Sequence, residues 1–343
     1  MTATPTTPDA VEKQILAGTR RAGKEYGFAD GRERERPVGW WFQQTHEGEV
    51  LFVIFYTQAC RWSRCLGCNL PSVSSRHHVD FRALMAQVDF LLADPEVRAR
   101  SASLTKVIVS NNGSVLDEAT FSSTALIYLV ARLNLQLPRL AVLALETRVE
   151  YVDEVELAFL ARALREGQTP TTLELAIGFE AFDDRIRNQV FLKGLRLAEF
   201  ERLCAALARH GFRLKCYFML KPVPGLSGEE AVADIHHAVR YLDAQARQHG
   251  LTINVHLNPT YAAAGTRLAE EFNAGRYTPP TLTEVARAAL AARGTGISIY
   301  LGLSDEGLAC PGGSFLRPGE EAVLERLEEF NRTQDFTILA ALV

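Results

Sequence analysis

Seven short runs of apolar and β-branched residues punctuate the chain, at 50–57 (VLFVIFYT), 104–110 (LTKVIVS), 140–146 (LAVLALE), 173–180 (LELAIGFE), 213–220 (RLKCYFML), 252–258 (TINVHLN) and 296–302 (GISIYLG). Their continuous apolar character predicts strands covered on both faces. Between them, segments 79–93, 117–134, 151–166, 197–210, 228–249 and 281–293 carry apolar residues at helical spacing; Leu197, Phe200, Leu203, Leu207 and Ala208, for example, share one face. Strand and helix alternate through nearly the whole chain, which predicts parallel strands joined by right-handed helical crossovers. A full or partial α/β barrel fits best, with chemistry at the C-terminal ends of its strands. Residues 1 to 48, including the RERER run at 32–36, read as a polar leader; 49–303 read as the barrel, and 304–343 as a C-terminal extension packing on it.

The chain has 343 residues and is 47% apolar, enough for a large core, and it exceeds the usual single-domain size unless that domain is a barrel. A net charge of -4 gives no global attraction to nucleic acid or to an anionic membrane. The first residues, MTATPTTPDAVEKQ, lack a basic segment followed by an apolar core, and no apolar run approaches the ~18 residues of a membrane span. The expectation is a soluble, cytoplasmic chain that meets no membrane. Its six cysteines, outside any secretory context, argue against a disulfide framework and for reduced thiols.

Three of those thiols fall in QACRWSRCLGCNLPS, 58–72, directly after the first apolar run. Cys60, Cys65 and Cys68 have the spacing Cys-x4-Cys-x2-Cys. Thiolates select zinc, copper(I) or iron–sulfur clusters. A structural zinc takes four closed ligands in separated pairs; the second pair is missing here, and His77 or His78 would have to supply the fourth, so a zinc-binding interaction protein stays open. Three thiolates suit a 4Fe–4S cubane with one iron left free for substrate or cofactor. Cys204 and Cys216 lie on a helix face and in a strand and read as small core hydrophobes. Cys310, in GLACPGGSF after the last run, is the remaining thiol for a role as hydrogen donor or auxiliary ligand, against the alternative of an apolar filler.

Together, CRWSRCLGC, SNNGSVLDE and ETRVEY resemble the radical S-adenosylmethionine (SAM) superfamily. The usual spacing there is Cys-x3-Cys-x2-Cys, and this chain has one more residue in the first gap. The wording is most similar to the branch that includes the radical subunit of archaeosine synthase, with the Elongator catalytic subunit and the methylthiotransferases as more distant relatives. The resemblance implies a partial (β/α)6-type TIM barrel, one 4Fe–4S cluster on Cys60, Cys65 and Cys68, SAM chelating the free iron, and an electron donor such as ferredoxin or flavodoxin. It further implies that Asn111, Asn112, Gly113 and Ser114 hold the SAM amino group, that Glu146 and Lys193 flank its carboxylate with Arg148 close by, and that Glu180 takes the ribose. On the residues alone, an ordinary Asn-Gly turn and a structural Glu146–Arg148 ion pair are the competing readings. The branch points to a 7-deazaguanine base in tRNA, reached alone or with a tRNA-modifying partner protein. Arg20, Arg21, Lys24, Arg32, Arg34 and Arg36 are a thin electrostatic footprint for RNA, and a small metabolite or natural-product intermediate is the alternative substrate.

Overall fold

In the computed structural model, which describes residues 7–343, the first element is α1 (Pro8–Arg21), begun by Thr7, whose hydroxyl accepts the Ala10 N–H, and by Pro8 where no N–H is needed. A hairpin follows, β1 (Gly39–Thr45) and β2 (Gly48–Ile54), turning at Gly48, whose φ of 104° disfavours a side chain. Then come α2 (Phe81–Ala93), α3 (Pro95–Arg100), β3 (Leu104–Ser110), α4 (Ser123–Gln136), β4 (Val142–Thr147), α5 (Glu154–Ala163) and β5 (Thr172–Glu180). The second half is α6 (Leu197–His210), β6 (Arg213–Leu220), α7 (Gly228–His249), β7 (Ile253–Pro259), α8 (Arg267–Asn273), α9 (Leu282–Ala289), β8 (Ser298–Leu301), α10 (Glu321–Thr333) and α11 (Phe336–Ala340).

The strands pair in sequence order into one open sheet, parallel from β2 to β8 and antiparallel at β1. This is the partial α/β barrel expected, and its seven parallel strands coincide with the seven apolar runs. Period-two alternation divides each strand between two environments. Leu51, Val53 and Phe55 join the large core beneath the helices, whereas Val50, Phe52 and Ile54 pack with Ile108 and Ala144 inside the barrel. Cys204 and Cys216 are fully buried in the outer core. The stretch read as a polar leader supplies α1 and β1; its first six residues lie outside the described ones, and Val11 and Ile15 of α1 are buried against Ala59.

Two devices hold the open barrel. At the N-terminal ends of the strands, fully buried Glu174 pairs with Lys106 at 2.6 Å and Arg213 at 3.3 Å and accepts from Asn254 at 2.6 Å. Glu47 bridges the same two cations, at 2.8 Å to Lys106. At the far edge, α10 stands in for a ninth strand. Asn331 donates to and accepts from the Leu301 backbone at 2.9 and 2.8 Å, and Gln334 does the same for Ile299 at 2.9 and 3.0 Å. The Asn331 carbonyl also accepts the His46 N–H at 3.3 Å, so α10 ties β8 to the β1 hairpin and covers an edge that would otherwise be free to pair.

Candidate active site at the C-terminal ends of the strands

The strand ends open on a cavity of about 910 Å³. Cys60, Cys65, Cys68, Asn112, Gly113, Glu146, Arg148, Glu180 and Lys193 all line it, though they come from the ends of four different strands and the loops that follow them. Asn111 and Ser114 are buried behind that wall, and Cys310 is not part of it. Cys310 packs with Ala262, Leu268, Ala269 and Tyr277 in a separate apolar cluster.

The cysteine loop is fastened at the residues of its longer first gap. The Arg61 guanidinium forks onto Asp117, with both contacts at 2.6 Å, and so fixes the loop to the turn after β3. Trp62 donates from Nε1 to the Leu192 carbonyl at 2.8 Å, and its ring occupies the space beside Gly194, where a Cβ would lie 2.5 Å from Cζ2. Arg148 stacks over the same ring at 4.4 Å. From the other side, Gly113 lets the turn after β3 approach Cys60, since a Cβ there would stand 3.2 Å from its Cα. These contacts bring the three thiols, the SNNGS turn and the FLKG segment to one place.

Glu180 has φ 73°, a left-handed conformation that costs a residue with a side chain on the order of 1–3 kcal/mol. It sits at an irregularity in the β5–β6 register and pairs with Lys193 at 2.7 Å. Gly178 makes room for that pair, because a Cβ at its position would lie 2.2 Å from Lys193 Nζ and 2.4 Å from Glu180 Oε1. The Glu146–Arg148 ion pair does not form. Arg148 pairs with Glu150 at 2.6 Å and donates to the Lys193 carbonyl at 3.0 Å, while Glu146 accepts from the Tyr217 hydroxyl at 2.6 Å. Burial raises the Glu146 carboxyl above its ordinary range, and hydrogen bonds from Ser110 and Tyr217 hold back part of that rise.

Around the thiols, burial pushes Cys68 up to about 12 against the pull of Lys24, with Cys65 and Cys60 adding to the rise. Cys65 is raised by burial too, opposed by Lys193 and Arg148. Burial thus favours the thiol form of Cys65 and Cys68, and a metal centre that compensates their charge would make them thiolates. The Lys24 ammonium is buried beside them and its Nζ has no hydrogen-bond partner among the described residues. A buried cation without a partner is costly, and an anionic centre on the cysteines resolves it. Among the described residues no three His, Cys, Asp or Glu side chains gather on a single metal ion, and His77 pairs instead with Glu12 at 3.0 Å. A cubane takes each of its thiolates on a different iron, so a donor set of three spread thiols with a cation alongside fits it.

Arg61, Trp62, Tyr217 and a further wall of the cavity, His256 and Asn258 on β7 with Gly302 after β8, are not among the residues the sequence points to. Lys24 appears there only as a basic surface residue.

No protein-family model matches the chain. Archaeosine synthase subunit beta of Methanosarcina acetivorans is 29% identical over 252 residues, covering 71% of this chain and 68% of its own length. An uncharacterised protein of Methanocaldococcus jannaschii is 21% identical over 320 residues, 90% of this chain and 84% of its own. Among solved structures, the archaeal Methanocaldococcus infernus Elp3 lacking residues 1–46 has a similar fold, with a TM-score of 0.50 at 13% identity; the match covers 73% of this chain and spans 58% of that one.

Proposed function

We propose, on the premise that this chain is a radical SAM protein in its cysteine motif and in its fold, that it abstracts a substrate hydrogen atom in the modification of a 7-deazaguanine base in tRNA. The observation that carries the reading is the gathering of Cys60, Cys65 and Cys68 with Asn112, Glu146, Glu180 and Lys193 around one cavity. When bound, a 4Fe–4S cluster holding SAM supplies the electron that splits SAM into methionine and a 5′-deoxyadenosyl radical. The chain's residues supply the rest. Cys60, Cys65 and Cys68 would hold three irons, and Lys24 would balance their negative charge. The turn at Asn111–Ser114, which reaches the cavity at Asn112 and Gly113, would receive the SAM ammonium, Glu146 and Lys193 would flank its carboxylate and Glu180 would take its ribose, with the Glu180–Lys193 pair opening to do so. Tyr217 keeps Glu146 oriented. The apolar inner wall around Phe52 and Ile54 excludes water from the radical.

The substrate part of the proposal draws on the similarity to archaeosine synthase subunit beta. The RNA footprint is narrower than the sequence implies. Lys24 is buried at the cysteines, Arg36 pairs with Glu33 at 3.1 Å, and Arg32 donates to the Pro37 and Val38 carbonyls. Arg20 and Arg21 remain exposed at the end of α1, where they would meet phosphate. Ferredoxin or flavodoxin is the proposed electron donor and the cytoplasm the proposed location; no described helix is long and apolar enough to cross a membrane.

Titration with tRNA at rising salt tests this reading. Binding should weaken steeply with salt, and neutralising Arg20, Arg21 and Arg34 together should weaken it further and flatten the salt slope. No binding at low salt would favour the alternative, a small metabolite or natural-product intermediate.

A further inference from the structure

The wall of the cavity facing away from Glu180 and Lys193 is built from β7 and the end of β8. Gly302 follows β8 with an ordinary negative φ, so its backbone does not require glycine. Space does. A Cβ there would stand 2.1 Å from Asn258 Oδ1 and 2.8 Å from His256 Nε2, so these two polar groups pack closely over the Gly302 backbone and fill the space a side chain would need. Asn258 is half-buried on the cavity wall, and His256 is 7% exposed with Nδ1 buried and without a hydrogen-bond partner among the described residues. The imidazole is held in place by Tyr217 at 4.7 Å and Tyr300 at 4.9 Å, ring to ring. Its orientation is therefore fixed while its hydrogen-bonding capacity is unspent.

Charge narrows the ligand. Burial, then Lys215 and Lys106, hold His256 well below its ordinary range, so the ring is neutral and offers one donor and one acceptor. Glu146 lines the same cavity, and so does Glu306, which a turn after β8 presents in the left-handed conformation at φ 55°. Burial, with Glu146 and Asp305 adding to it, lifts Glu306 to about 7, so these two carboxyls offer hydrogen-bonding groups and no cation to hold a phosphate or carboxylate. An amide, a neutral imidazole and carboxylates accept N–H groups and return a donor, which is the pattern of a base edge.

We propose that His256 and Asn258, brought together over Gly302 on the cavity wall, form the subsite for the hydrogen-bonding edge of an uncharged, nitrogen-rich heteroaromatic base. This rests on the radical SAM reading, and it deepens that reading by assigning the wall that orients the substrate base. The base enters with its N–H edge against Asn258 and His256, and its opposite side faces the SAM wall. Glu306 takes a further N–H at the mouth.

The test is titration of the reconstituted, SAM-loaded chain with free 7-deazaguanine, with tRNA containing that base, and with benzoate as an anionic ring of similar size. The parent should bind the base in at least one of its two forms and should not bind benzoate. Which form binds tells whether the base comes free or within RNA. Gly302→Ala pushes Asn258 and His256 out of their places and Asn258→Leu removes the amide; each should weaken base binding about tenfold or more, the scale of one lost hydrogen bond. The second variant leaves the backbone at Gly302 untouched and guards against misfolding of the first. Failure of both forms to bind, tighter binding of benzoate, or unchanged affinity in both variants would overturn the subsite. 5′-Deoxyadenosine formation by the parent, measured in parallel without base, separates these results from failure of the radical SAM reading itself.

Discussion

Replacing Cys60, Cys65 or Cys68 singly with Ala is expected to abolish reductive cleavage of SAM, with 5′-deoxyadenosine falling to the level of a reaction lacking protein. Each thiolate would hold its own iron, and no His, Asp or Glu among the described residues completes a group with the cysteines that could substitute. The loop itself should survive the change. Its position is set by the Arg61–Asp117 fork and by Trp62 against Leu192 and Gly194, none of which involves a thiol. Far-ultraviolet circular dichroism should therefore match the parent while the visible absorption of the reconstituted cluster is lost. Full cleavage in any one variant would show that its cysteine is not a ligand.

The largest stability effect is expected at the opposite end of the barrel. Glu174→Gln leaves Lys106, Arg213 and Lys215 facing Glu47 alone in a buried site, and breaking such a network costs about 3–5 kcal/mol. The pH dependence follows from the carboxyls. Burial works to raise Glu47, but the Lys106 and Arg213 charges and hydrogen bonds outweigh it and bring the group down to about 2; Glu174 is lowered by the same balance. A depressed carboxyl stabilises the fold above its ordinary value of 4.5, and that stability drains away as pH falls toward about 2. Lys215 acts in the other direction. Burial and Lys106 hold it down to about 8, so stability from this group rises between pH 8 and 10.5. Urea unfolding at pH 7 should show the full deficit of the Gln variant, and the gap to the parent should narrow at pH 3. An unchanged midpoint at pH 7 would mean the network contributes nothing net.

The seven parallel strands were legible because most of their residues are buried, which leaves largely apolar runs. β1 was not, since Gly39–Thr45 is only partly covered and carries Gln43 and Gln44, so no clean period-two pattern survives. α10 was hidden for a related reason. Only Leu327, Phe330 and Asn331 of its residues are buried, and its task at the β8 edge is done by amide side chains that look like surface polarity in a sequence.

In the candidate site, the cysteines announced themselves by spacing. What the sequence could not give was their long-range anchors: Asp117, Leu192 and Gly194 are far from Arg61 and Trp62 along the chain, and only folding joins them. The same holds for carboxylate partners. Arg148 is the near neighbour of Glu146 in sequence, yet the strand turns its side chain to Glu150 and leaves Glu146 to Tyr217 on β6. His256 and Asn258 lay in HLNP at a strand end, a place where barrels carry function, and that position was the one available signal. Cys310 had a comparable position in the sequence, but its side chain packs into an apolar cluster outside the cavity lining.

The central claim is that this cavity cleaves SAM by one-electron reduction. It is tested most directly by reconstituting the chain anaerobically with iron and sulfide, adding SAM and dithionite without any substrate, and measuring 5′-deoxyadenosine and methionine by chromatography. Slow, equimolar formation of both, dependent on dithionite, is the predicted result. A reconstituted chain that binds SAM yet yields no 5′-deoxyadenosine would contradict it.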